Sequence, residues 1–376
     1  MYAFIGVGQG GCGLLDSAFY DKDLFKIAKP IAINSTAKDM KNLKHIKQKH
    51  WLGMSKDKGF IDGTTKNLES YLVGGYGQDR TKSKDDAERQ HSDLQEKIRY
   101  YLETRTAKGK EMAVQFAFLM TSLGGGTGSG LSPTIAKILK DLGIYVIAVL
   151  ITPAKSEGSL TAKNAVDALN EIYNYADSII LASNEKISYA QNIEALFSRY
   201  NDYIARSLVD ICEGMTLEQI DPSKFEGNPP VIDMNDFITA TSFLDTHKPG
   251  FSVIGRASDN VKDMLHYIFP VGGFKEIDAI GLIQQAMLKL SADIDDNVRK
   301  NLCLLRLPHQ YLTSESRMIN TVVVRNFLLE KTELNETHFG ISLTKRNLAT
   351  ATLISCHSKK PRDFEMLEES AEKYKG

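Results

Sequence analysis

Gly124-Gly125-Gly126-Thr127-Gly128-Ser129-Gly130 stands between the apolar run Ala113 to Thr121 (AVQFAFLMT) and a stretch in which Leu131, Ile135, Leu139 and Leu142 recur at helical spacing. The run reads as a buried parallel strand and the spacing as an amphipathic helix, so the glycines make a strand-to-helix turn. Consecutive amides free of side chains, two hydroxyls and the positive end of a helix form a cradle for an anion. The heptapeptide has no lysine, and no GK[ST] triplet occurs in the chain, so this is not a Walker P-loop. Phosphates held here must be neutralised by backbone amides together with a metal ion. A flexible linker is the bland alternative, and it does not suit a position between two buried strands.

Working outward, Ile144 to Ile151 is the next apolar run, which completes a strand-helix-strand unit. Ser178 to Ala182 supplies a further strand after the helical stretch Ala162 to Tyr175, and Tyr2 to Val7 and Ile31 to Asn34 supply two more. The first half is therefore an α/β nucleotide-fold candidate with a mainly parallel, Rossmann-like sheet. Gly6-Val7-Gly8-Gln9-Gly10-Gly11 follows the first strand and formally satisfies GxGxxG, a pattern that also occurs as a ligand-free tight turn. A nicotinamide cofactor would need an acid at the end of the second strand to hold its ribose, and Asn34-Ser35 stands there. That weakens an NAD-dependent oxidoreductase as an alternative.

Beyond this, Leu196, Phe197, Tyr200, Ile204, Leu208 and Ile211 step by three or four, which predicts one long helix from Ile193 to near Gly214. Pro222 to Val231 is rich in breakers and reads as a loop. A second, smaller α/β region follows, with strands expected at Phe251 to Ile254, Cys303 to Leu307, Asn320 to Val324, Gly340 to Thr344 and Ala351 to Cys356. The expected domains are 1–190, the helix 191–216, 217–358, and a tail 359–376 that is a short exposed helix or a partly ordered end.

The chain has 376 residues with 46 Lys plus Arg against 47 Asp plus Glu, so it cannot act as a polycation on DNA. No apolar run is long enough to span a membrane, and glycines interrupt the start where a signal peptide needs continuous apolar residues, which predicts a cytoplasmic protein. Cys12, Cys212, Cys303 and Cys356 lack CxxC spacing, and neither a disulfide framework nor a zinc site is expected.

The heptapeptide GGGTGSG resembles the signature loop of the tubulin and FtsZ superfamily of polymerising GTPases. Gly8, Gln9, Gly10, Gly11 and Cys12 resemble its first phosphate loop. Ala32 to Ser35, including Asn34, resemble the loop after its second strand, and Gly74 to Gln78, with Gly75 and Gly77, the loop near the γ-phosphate. The resemblance covers about residues 2 to 260. It implies GTP or GDP with Mg²⁺ carried on the phosphates and no protein ligand assigned to the metal. Phe197 and Asn201 are four apart on the long helix and share a face, where they suit stacking on a purine and bonding to its edge. Asn184 resembles the superfamily's guanine-contacting residue and Glu157 its ribose-side acid; taken singly, Phe197 would read as core and Asn184 as a turn or cap residue.

After the long helix, Asp233 and Asp236 stand three apart near a helix start, which by itself reads as a helix cap. The resemblance places them on the two acidic positions of a loop that enters the nucleotide site of the next subunit, with Val231 at a position where the superfamily has Asn. It implies that hydrolysis is completed by head-to-tail assembly into filaments. Pro153 to Ala165, Tyr200 to Cys212 and the Asp233 loop followed by Pro249 to Val253 are most similar to the TubZ branch of plasmid and phage partition. That branch implies a bacterial host, a plasmid or phage origin, DNA segregation through a DNA-binding adaptor of the TubR type, and only indirect contact with DNA. A cell-division or cell-shape filament of the FtsZ type is the alternative. It is less favoured because Ser159-Leu160-Thr161 replaces an arginine-rich run and no long linker follows Lys359. The basic edge from Lys38 to Lys49 reads as a solvated face, and Lys359 to Arg362 as a candidate adaptor or filament contact.

Overall fold

In a computed structural model, which describes residues 1–106, 109–112, 114–187, 193–221, 229–243, 248–261, 275–294, 297–313 and 319–374, the apolar runs form the strands of two compact units. One unit is Met1–Arg206 with Ala292–Ile294 and the segment from Lys360 onward; the other is Ser207–Ser291 with Asp295–Lys359.

The first unit contains β1 (Tyr2–Val7), β2 (Ala28–Asn34), β3 (Trp51–Met54), β4 (Phe60–Asp62), β5 (Phe116–Ser122), β6 (Tyr145–Thr152) and β7 (Ser178–Ser183). Their order is β4-β3-β2-β1-β5-β6-β7, parallel throughout except for the β3/β4 pair. Helices α1 (Gly8–Ala18), α2 (Gly126–Asp141) and α3 (Ser159–Ile172) follow β1, β5 and β6. The strands read as continuous apolar runs because helices cover both faces, and residues such as Ile5, Ile31, Leu119 and Val146 are wholly buried with Ile135 and Leu139 of α2. Each such side chain contributes about 1.5 to 3 kcal/mol on burial. Helices Arg80–Arg89 and His91–Leu102 escape the sequence reading because the first is almost wholly polar. Arg80 nevertheless lies buried against Glu171 of α3 at 2.8 Å.

The long helix is α4 (Ile193–Thr216), whose residues up to Arg206 belong to the first unit and the rest to the second. The second unit also contains α5 (Met234–Thr241), β8 (Phe251–Asn260), α6 (Ala279–Met287), β9 (Lys300–Leu307), α7 (Thr321–Leu329), β10 (Glu336–Leu343) and β11 (Leu348–His357). Its strands lie in the order β10-β9-β11-β8, with β9/β10 parallel and the other pairs antiparallel. Four of the five strands expected here are present. The fifth, Asn320 to Val324, is the start of α7. Its β-branched run suggests a strand, but Asn320 caps a helix by accepting from the Val323 amide at 3.1 Å, and Val324 and Leu328 bury one face. Most of the expected Pro222 to Val231 loop lies outside the described residues.

The tail forms α8 (Arg362–Ala371), and it is not simply exposed. Phe364 and Leu367 are each 1% accessible and the helix packs on α3, because these two apolar residues share a face of an otherwise charged segment. The Arg362 amide donates to the Asp293 carbonyl at 3.0 Å, and Lys360 pairs with Glu368 at 2.6 Å. Phe364→Ala should therefore destabilise the protein by about 3 kcal/mol, read as a lower denaturant midpoint. An unchanged midpoint would mean that α8 is not docked in solution.

Candidate nucleotide site

β1 has β2 on one side and β5 on the other, so the strand order reverses there, and in open α/β sheets ligands bind outside the carboxyl ends of the strands at such a point. Both glycine loops begin there. Gly8 has φ +70°, and a methyl on it would sit 2.9 Å from the Gly128 amide nitrogen. A methyl on Gly128 would sit 2.6 Å from the Ser122 carbonyl oxygen and 2.7 Å from the Thr121 hydroxyl. The two loops thus pack backbone against backbone, which leaves their amides free of side chains at the start of α1 and α2.

The result is a cleft of about 340 Å³ whose walls include Gly8, Gln9, Gly10, Gly75, Gly77, Gly124, Gly125, Gly126, Thr127, Gly128 and Glu157. It shares Gln9, Gly10, Asp39, Ser122 and Glu157 with a larger pocket of about 870 Å³ that is also walled by Asn184, Phe197 and Asn201. The structure therefore gathers the phosphate-side and base-side candidates into one continuous depression. Glu157 Oε1 accepts from the Ala154 amide at 2.8 Å and from Asn184 Nδ2 at 3.1 Å, so these two polar groups are fixed as a pair.

Four of the candidates lie behind the walls. Gly11 closes on the Met120 carbonyl, where a methyl would come within 2.2 Å. Cys12 is buried, its thiol facing the Gly6 and Ile33 carbonyls at 3.4 and 3.6 Å, and burial pushes its pKa up to about 12. Ser129 donates to the Gly125 carbonyl within the first turn of α2. Asn34 is 1% accessible and its Oδ1 accepts from the amides of Ser35 and Thr36 at 2.8 and 3.3 Å. That turn brings Ser35 Oγ to 2.8 Å from Thr127 Oγ1, while Asn34 Nδ2 donates to Asp39 at 3.4 Å.

Several wall residues carry no local signal that the sequence reading used. Asp39 and Thr36 border the phosphate end. Behind the wall, the buried Asn164 of α3 joins two loops by donating to the carbonyls of Gln78 and Gly124 at 2.9 and 3.2 Å. Gly13, Asp16 and Ser17 share one face of α1 with Gln9 on the base side, Tyr20 follows just past the end of the helix, and their spacing of three and four is a signal that could have found them. Asp16 also accepts from the amides of Lys44, His45 and Ile46, which pins the 42–46 wall.

Among the described residues, no lysine or arginine lines the 340 Å³ cleft and no group of three or more His, Cys, Asp or Glu could hold a metal ion. An anion here would meet amides, hydroxyls and the two carboxylates of Asp39 and Glu157, a donor set that suits a divalent cation carried on the ligand's own phosphates. The acids Asp233 and Asp236 belong to the other unit. Asp233 Oδ1 accepts from the amides of Asn235 and Asp236 at 2.7 and 3.1 Å, and Asp236 Oδ2 accepts from the Asp233 amide at 2.9 Å. They form the reciprocal cap of α5, and both are solvent-accessible at its end.

Fold and cleft define a phosphate-binding α/β protein of the doubly wound type. The GTPase-domain model of the Tubulin/FtsZ family matches residues 2–192, and the chain belongs to that family. A cell division protein FtsZ from Mycoplasmopsis pulmonis is 41% identical over 80 residues, which cover 21% of this chain and 20% of that protein. The matched stretch thus spans about a fifth of that relative's length. Among solved structures, CetZ from Methanosaeta thermophila is similar with a TM-score of 0.73 at 20% identity, covering 99% of this chain and 90% of that one. A GTPγS-form protofilament of TubZ from Bacillus thuringiensis serovar israelensis gives a TM-score of 0.68 at 17% identity, covering 99% and 91%. At these identities the likeness is one of fold.

Proposed function

We propose that this chain is a GTPase that polymerises head to tail and hydrolyses GTP at the contact between subunits. The observation that carries this reading is the interlocking of Gly8 with Gly128 beneath a cleft that continues to Phe197, Asn201 and Asn184. The glycine-loop amides bind and orient the phosphates, Thr127 offers a hydroxyl to them, Phe197 stacks on guanine, and the two asparagines bond its edge. Magnesium on the phosphates supplies neutralisation of the charge that the loops, lacking lysine, leave unmet. Asp233 and Asp236 of one subunit position the attacking water at the nucleotide held by the next, so a lone subunit turns over slowly. The protofilament form of the TubZ neighbour supports this arrangement.

Within the family, the reading is a partition filament of the TubZ type, cytoplasmic in a bacterial host and encoded by a plasmid or phage, with DNA reached through a TubR-type adaptor. No helix among the described residues is long and apolar enough to cross a membrane. The FtsZ matches favour a division filament as the second reading. Sedimentation with GTP, GDP and a slowly hydrolysed GTP analogue tests the shared core of both: polymer should pellet with GTP, persist with the analogue and be absent with GDP. Pelleting that ignores the nucleotide would overturn it.

A further inference from the structure

The acidic pair is tied into the second unit by a set of contacts that the capping of α5 does not require. In β10, Glu336, His338 and Gly340 alternate onto one face, and the parallel register places Lys300 opposite Glu336 and Leu302 opposite His338. A methyl on Gly340 would lie 2.9 Å from the Ile232 amide nitrogen, so the bare backbone at that position lets the 230–232 segment rest on the strand. The Ile341 amide donates to the Pro230 carbonyl at 2.7 Å, which fixes the segment there. This packing delivers Asp236 to His338. The ring Nδ1 stands 2.9 Å from Asp236 Oδ1, its Nε2 stands 3.5 Å from Glu336 Oε1, and Lys300 Nζ holds that same Glu336 oxygen at 3.1 Å. Lys300 is itself buried and donates to the Thr239 carbonyl at 3.0 Å.

Asp236 therefore has both oxygens engaged: Oδ2 by the Asp233 amide and Oδ1 by the imidazole. A carboxylate held at two points cannot rotate about its terminal bond, and the lone pairs left over point in fixed directions. An ordinary helix cap needs only the Oδ2 contact, so the imidazole contact is surplus to capping.

We propose that His338 is a positioning residue for GTP turnover, donating from Nδ1 to Asp236 so that the free face of this carboxylate is aimed at the water in the neighbouring subunit's site. Glu336, held by Lys300, lies 3.5 Å from the ring's other nitrogen without a hydrogen bond to it, so the bond to Asp236 is what fixes the ring. This rests on the assignment of Asp236 made above. The role is orientation: His338 takes part in neither nucleotide binding nor the contact that builds the filament.

The test uses the full-length chain and four variants, His338→Leu, His338→Asn, Asp236→Ala and the Leu/Ala double variant. Three quantities are read for each: GTP affinity of unassembled protein, the concentration at which assembly begins, and turnover per assembled subunit. His338→Leu should leave the first two within about twofold and slow turnover between about 10- and 100-fold. His338→Asn, which keeps an amide nitrogen at the place of Nδ1, should recover most of that loss. The double variant should be no slower than Asp236→Ala alone, because His338 acts only through that carboxylate. His338→Leu with normal turnover beside a slow Asp236→Ala would overturn this inference and leave the proposed function standing. Multiplicative slowing in the double variant, or an effect confined to the onset of assembly, would overturn it as well. Normal turnover in Asp236→Ala would instead remove the assignment on which it rests.

Discussion

Asp236→Ala should leave GTP affinity nearly unchanged and cut turnover per assembled subunit by about 10²- to 10⁴-fold, the usual worth of a positioned carboxylate in proton transfer or water orientation. Filaments should then persist long after GTP is added, because the hydrolysis that weakens the contact no longer occurs. The same change removes half of a reciprocal cap, which costs about 1 kcal/mol of local stability. Asp236→Asn separates the two effects: it keeps an oxygen for the Asp233 amide while losing the carboxylate charge, so it should match alanine in turnover and the parent in stability. Light scattering after a limiting dose of GTP reads the outcome, and filaments of either variant that disassemble at the parental rate would remove Asp236 from the reaction.

Gly128→Ala is expected to abolish useful GTP binding, weakening it by about 100-fold or more, equivalent to about 2.7 kcal/mol or more. Its methyl would meet the Ser122 carbonyl, a backbone atom of β5 that cannot move without disturbing the sheet, so the loop itself must lift and its amides lose their convergence on the phosphates. Gly143→Ala is the control: Gly143 has φ +75°, but nothing lies within 4 Å of an added methyl, so it should cost only about 1 kcal/mol of stability. Equal GTP affinity in the two variants, measured by fluorescence of a labelled nucleotide, would mean that the packing of the two glycine loops does not shape the site.

How much of this was legible in the sequence follows from where each signal lies. The heptapeptide could be read because its flanks are long apolar runs whose periods differ, two-sided burial before it and helical spacing after it. Asn320 to Val324 could not, since five residues rich in valine satisfy strand and helix alike until the cap and the buried Val324 and Leu328 decide. The tail was underestimated because two apolar residues among charges carry little weight until a partner helix is in view. In the candidate site, glycines and the Phe197–Asn201 pair announce themselves by spacing. Asn164 does not, because it acts through hydrogen bonds to two loops whose approach is set by the sheet order. His338 is 102 positions from Asp236, and only the seating of 230–232 on β10 brings the two together.

The central claim is that two copies of the chain make one complete active centre. GTP turnover per molecule, followed as protein concentration is raised at fixed excess GTP, tests it most directly. The account predicts a low floor, then a steep rise beginning at the concentration where light scattering first reports polymer. A rate per molecule that is the same on both sides of that threshold would contradict it.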